Sequence, residues 1–230
     1  MKSTAVFTSL LWISLASAAA IAVPKSTPIA PEIVAFPVSQ LTARATNDTE
    51  NELSGACKPV TFIFARGTNE DGNVGAIIGP PLIADLRAAL GTAGIAAQGV
   101  DYDASVLGYL EGGDPAGSTT MANLINTAAT KCTSTKIVIS GYSQGAQLVH
   151  NAADKLTAAV TARIAAVVVF GDPDRVGRST LPPVGTVPAA KVDSFCHTGD
   201  IICTGLGGAA EHLNYDEDAP NASAFIVARV

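Results

Sequence analysis

Thr135-Lys136-Ile137-Val138-Ile139-Ser140-Gly141-Tyr142-Ser143-Gln144-Gly145 runs an apolar, β-branched stretch directly into a Gly-x-Ser-x-Gly pentapeptide. The stretch predicts a buried strand, and the pattern from Gln144 to Leu156 predicts a helix, so Ser143 falls on the strand-to-helix turn between them. That turn is a nucleophile elbow: it lifts a serine hydroxyl out of a sheet, and the flanking glycines leave room for strand and helix to approach closely. A serine hydroxyl is a poor nucleophile until a neighbouring base takes its proton, so the elbow calls for partners elsewhere in the chain.

Outward from this point the same alternation recurs. Strands are expected at Val60 to Arg66, Ile95 to Tyr102, Ile164 to Phe170 and Lys191 to Cys196. Helical patterns cover Asn73 to Leu90, interrupted by Pro80-Pro81, then Ser118 to Lys131 and Ala219 to Arg229. Strands alternating with helices of this length imply right-handed crossovers, hence an α/β fold with a central parallel sheet of about five strands covered on both faces. Functional groups then collect at the carboxyl ends of the strands, where the elbow lies. No Gly-x-Gly-x-x-Gly or phosphate-binding loop follows a strand, so no nucleotide cofactor is expected.

The chain has 230 residues, 48% of them hydrophobic and 15% charged, which suits one core and one domain. Lys2, the apolar run Ala5 to Ala16 and the small residues after it read as a signal peptide over residues 1–18, with cleavage as late as residue 22. That run is too short to span a bilayer, so a secreted, extracellular protein without a membrane anchor is expected. Residues 19–54, with Pro24, Pro28, Pro31 and Pro37 and then a polar tract, read as a flexible extension or propeptide ahead of a domain at residues 55–230. Asn47 and Asn221 head glycosylation sequons. The net charge of −6 and the lack of a basic cluster argue against nucleic acid as a partner, and a monomer is expected.

Four cysteines in an oxidising compartment predict two disulfides. Cys57 and Cys132 each stand just before an apolar strand, so they are paired with each other, which leaves Cys196 with Cys203. The spacing is poor for zinc, and no metal is expected.

Among the three histidines, His150 lies two helical turns beyond Ser143, roughly 10 Å away and out of reach. His212 follows the glycine-rich stretch Gly205-Leu206-Gly207-Gly208 and fits the chain order Ser, Asp, His, so it is preferred to His197 as the base. Asp200, inside the Cys196 to Cys203 loop, is the favoured acid, with Asp172 and Asp174 as alternatives. Backbone N–H donors for a developing oxyanion are expected at Gln144 and at Thr68, in the loop after the first strand.

The elbow and the motifs linked to it carry a resemblance. Phe64-Ala65-Arg66-Gly67-Thr68 with Gly72-Asn73, the elbow followed by Ala146-Gln147-Leu148, and Cys196-His197-Thr198-Gly199-Asp200-Ile201-Ile202-Cys203 ahead of His212 resemble, in order, the fungal cutinases. The resemblance covers roughly residues 55 to 230. It implies a minimal, lidless α/β hydrolase with two disulfides, a triad of Ser143, His212 and Asp200, and an oxyanion hole at Thr68 and Gln144. The implied substrate is a carboxylic ester, including the insoluble polyester cutin. The segment before His212 departs from the bulky apolar lip common in that family, while Val106 to Leu110 offers apolar groups opposite. An acetylxylan or other short-chain carbohydrate esterase is the alternative, and a non-catalytic wall-binding protein a second. Since the base works in its neutral form, activity should fall as the medium turns acidic.

Overall fold

The computed structural model describes residues 48–230. The expected signal peptide, most of the expected extension and Asn47 lie outside the described residues.

Five strands form one parallel sheet: β1 (Val60–Ala65), β2 (Ile95–Gly99), β3 (Lys136–Tyr142), β4 (Ile164–Phe170) and β5 (Val192–Phe195), in the order β2-β1-β3-β4-β5. Among the described residues seven α-helices accompany them: α1 (Gly79–Leu90), α2 (Val106–Leu110), α3 (Pro115–Lys131), α4 (Gln144–Ala153), α5 (Ala158–Thr161), α6 (Ile201–Thr204) and α7 (Ala219–Val227). Side chains alternate across a strand, so one sequence feeds two cores. Ile63, Ile137, Ile139, Val167 and Val169 pack with Ile125 of α3 and Leu148 and Val149 of α4. Phe62, Phe64, Val138, Val168 and Phe170 pack with Leu82 and Leu86 of α1 and Ala222 and Ile226 of α7. Burial on both faces explains why β1 and β4 read as unbroken apolar runs rather than alternating ones.

Most boundaries differ from expectation by a few residues, each with a local cause. The helix expected from residue 73 begins at Gly79, with Pro80 and Pro81 in its first turn, where their missing N–H groups cost nothing. That expected near Ser118 starts at Pro115, because the Asp114 carboxylate accepts from Gly117 N as an N-cap. Val106–Leu110 is a short helix capped by the Ser105 hydroxyl. Residues 48–54, whose polar composition places them in the extension, are held along the free edge of β2. Asp48 O accepts from Asn73 N at 2.8 Å, Gly99 N donates to Glu50 O at 2.8 Å, and Glu50 pairs with Arg87 at 2.6 Å, with Leu53 buried beneath. Covering an edge strand blocks its pairing with another chain.

Disulfides join Cys57 to Cys132 and Cys196 to Cys203. The first ties the entrance of β1 to the end of α3, and the second closes a small ring containing His197 and Asp200.

Candidate active site

Ser143 caps α4 at the C-terminal end of β3, with φ +56° and ψ −119°, a backbone conformation that residues with a side chain rarely adopt. The Gly-x-Ser-x-Gly spacing has a direct steric cause. A Cβ on Gly141 would lie 2.2 Å from Gly145 O, and one on Gly145 would lie 2.0 Å from Ala65 O, so neither position admits a side chain. The strained turn is fastened by Ser143 N donating to Phe170 O of β4 at 2.9 Å.

His212 Nε2 lies 2.9 Å from Ser143 Oγ, and His212 Nδ1 lies 2.8 Å from Asp200 Oδ2. The same Asp200 oxygen accepts from the Tyr215 hydroxyl at 2.6 Å, while Oδ1 accepts from Ile202 N at 2.8 Å. Asp200 is fully buried, which by itself favours the neutral acid. The His212 contact, the Tyr215 hydroxyl and the Ile202 N–H outweigh burial and hold its carboxyl below the usual carboxylate range. An ionised carboxylate only accepts hydrogen bonds, so Nδ1 carries the imidazole proton and Nε2 is left to take one from Ser143. Tyr142 of the elbow donates from its hydroxyl to His212 O at 2.7 Å, fixing the backbone that carries the imidazole.

Thr68 is tied to the elbow through Gln144, whose Nε2 donates to Thr68 Oγ1 at 2.9 Å and to Ser105 O at 2.8 Å. Because the Thr68 hydroxyl accepts there, its own hydrogen is free to point elsewhere. Gln144 N stands at the first position of α4, where helical N–H groups have no intrahelical acceptor. The turn that presents Thr68 is organised by buried Glu70, whose carboxylate accepts from Gly67 N, Ala76 N and Ile77 N at 2.6 to 2.9 Å. Burial pushes the Glu70 carboxyl up despite these bonds and the nearby Arg66. Thr68, Glu70, Ile77, Tyr142, Ser143, His212 and Leu213 line the shallow cleft at this point.

The structure thus brings Ser143, His212, Asp200, Thr68 and Gln144 together and leaves the other sequence candidates apart. His197 stacks on Tyr215 and pairs with Asp218 at 2.6 Å. Asp172 faces His150, not His212, at 2.9 Å. Asn221 stands exposed in α7. The sequence reading passed over Tyr215, Glu70 and the Gln144 side chain. Tyr215, three residues beyond His212, carried a signal: a hydroxyl close in sequence to the expected base.

A serine hydroxyl, an imidazole and a carboxylate in line at the carboxyl ends of a parallel sheet, the serine on a strand-to-helix elbow, define a serine ester hydrolase of the α/β-hydrolase class. The family model described as Cutinase matches residues 56–230, and the chain belongs to the cutinase family. It is a serine carboxylic ester hydrolase. It is 52% identical over 191 residues to a cutinase of Blumeria hordei, covering 82% of this chain and 79% of the relative. A Trichoderma reesei cutinase solved with a phosphonate inhibitor superposes with a TM-score of 0.71 at 44% identity, covering 79% of this chain and 80% of that one. The catalytic core of an acetyl xylan esterase from Trichoderma reesei shares the fold at 23% identity and a TM-score of 0.61, covering 76% of this chain and all of that one. No helix among the described residues is long and apolar enough to cross a membrane.

Proposed function

We propose that the protein is a secreted esterase that hydrolyses the polyester cutin and soluble short- to medium-chain esters, with Ser143 as nucleophile, His212 as base and Asp200 as orienting acid. The observation that carries this reading is the continuous hydrogen-bonded line from Ser143 Oγ through His212 to Asp200. His212 takes the serine proton as Oγ attacks the ester carbonyl, and the alcohol leaves with that proton. Water, activated by the same imidazole, then releases the acyl enzyme. The N–H groups of Thr68 and Gln144, with the Thr68 hydroxyl, receive the developing oxyanion.

Support for an insoluble substrate comes from the surface. Leu107 and Leu110 of α2 are 65% and 58% exposed, beside the Ser105 carbonyl that holds Gln144, and Leu206 of the segment before His212 is 76% exposed. The exposed leucines of α2, which packs beside the helix that Ser143 caps, can rest on an acyl chain or polymer face without closing a lid. Secretion rests on the N-terminal leader pattern and on two disulfides, which persist in oxidising compartments. An organophosphate should label Ser143 stoichiometrically, and purified protein should release hydroxy fatty acids from cutin faster than acetate from acetylated xylan. Ser143→Ala should do neither. Unlabelled wild type, or a preference for the xylan, would overturn the reading.

A further inference from the structure

One buried ionisable pair plays no part in the chemistry above. His150, in the last turn of α4, and Asp172, two residues beyond β4, meet at 2.9 Å with side-chain exposures of 8% and 0%. The other ring nitrogen, Nδ1, lies 3.0 Å from Pro183 O. The Pro183 carbonyl only accepts, so Nδ1 carries hydrogen, and opposite an ionised Asp172 Nε2 carries one too, which makes the ring an imidazolium. Asp172 Oδ1 accepts in turn from Asp174 N at 3.0 Å.

The location of this pair matters more than its strength. Phe170, Gly171 and Asp172 are consecutive, and each touches a different part of the site. Phe170 O receives the N–H of Ser143. Gly171, at φ +53°, is pressed so closely on the catalytic imidazole that a Cβ there would lie 2.6 Å from His212 Cε1. Asp172 reaches back to the helix whose N-terminus carries Ser143. The ion pair therefore closes a loop of structure running from Ser143 along α4 to His150, across to Asp172 and back through Gly171 to His212.

We propose that His150 and Asp172 are positioning residues for the esterase reaction: their pairing holds Gly171 against the imidazole of His212 and so fixes His212 at bonding distance from Ser143. The proposal rests on the assignment of Ser143 and His212 under Proposed function. Loss of the imidazolium proton would leave a bare ring nitrogen facing an acceptor and release the latch. Burial disfavours the charged ring, but Asp172, with Asp174 and the Pro183 carbonyl, outweighs it and raises the His150 pKa above its ordinary value. The charged groups facing the pair are Asp172, Asp174 and, beside Asp174, Arg178.

The test is steady-state kinetics on a soluble butyrate ester from pH 5 to 10 for wild type, His150→Gln, Asp172→Asn and the double variant. Ångström-scale misplacement of a base costs about tenfold to a hundredfold in rate, so each single variant should lose that much kcat with KM within about twofold. The double variant should be no slower than the singles, because both break one link. Wild type should show a fall in kcat at alkaline pH that His150→Gln lacks. Single variants within about twofold of wild-type kcat, or additive losses, would overturn the proposal. Should the variants fail to fold, NMR on wild type decides: the His212 imidazole resonances should shift through the pH range in which His150 titrates, and their indifference would refute the latch. Wild type inert to esters and to organophosphate would instead refute the esterase assignment, leaving the NMR result to judge the latch alone.

Discussion

In the proposed oxyanion hole Thr68 meets two demands at once: its hydroxyl accepts from the Gln144 side chain at 2.9 Å, which leaves its own hydrogen to face developing charge. Removing one oxyanion donor costs about 10² to 10³ in kcat, so Thr68→Ala should lower kcat by about a hundredfold with little change in KM, while Thr68→Ser should restore most of it. Equal loss in Ala and Ser variants would show that the methyl group and not the hydroxyl matters. Tyr215→Phe removes a 2.6 Å bond to ionised Asp200 without changing shape. Hydrogen bonds to charged groups are worth about 1.5 to 3 kcal/mol, and a measured kcat loss near tenfold is expected. Legibility at this scale follows steric uniqueness. Ser143 was readable because only glycine fits at positions 141 and 145, a constraint that prints itself on the sequence. Glu70 was not, because a carboxylate that ties three backbone N–H groups in a loop looks the same in sequence as one lying in solvent.

Strands and long helices were legible because their apolar runs face two cores, and β4 ends where the pattern ends, at Phe170. The five-residue α2 was not, since its single turn depends on the Ser105 cap and on the Gln144 side chain reaching the Ser105 carbonyl. The two disulfides act on elements of different kind. Cys57–Cys132 closes a long loop, with a sequence separation of 75, whereas Cys196–Cys203 spans 7. Chain-entropy arguments assign about 4.5 kcal/mol to the first and about 2.5 kcal/mol to the second. The Cys57→Ala/Cys132→Ala variant should therefore lose more stability in urea titration, yet keep wild-type kcat once folded. The Cys196→Ala/Cys203→Ala variant should lose less stability but more kcat, because its ring carries Asp200. Parallel losses in both assays for both variants would refute this division.

Across the whole molecule, pH acts through histidines and carboxylates of opposite sense. His150 and His197 both have folded pKa values above their ordinary value near 6.5. At each, burial is outweighed by the hydrogen bond to an aspartate, Asp172 or Asp218. Their contribution is complete below the unfolded value and is lost as pH rises through the folded one. Asp200 is shifted down, so its contribution is present above the usual aspartate range and is lost as pH falls below it. The thermal midpoint should accordingly peak in mildly acidic buffer and decline on the alkaline side, and His197→Gln should flatten that decline. An unchanged alkaline slope would remove His197 from the account. Ser143 precedes His212 by 69 positions, and β5, which leads into the segment bearing Asp200, joins β4 through only four residue pairs at the margin of the sheet. On the proposed assignment, a chain emerging from the ribosome carries β1 to β4 and the nucleophile Ser143 before it has supplied Asp200 as acid or His212 as base. Under the proposed assignment, hydrolytic competence waits for residues 200 and 212, so a precursor stalled before residue 200 is expected to be inert towards the esters of the cell that made it.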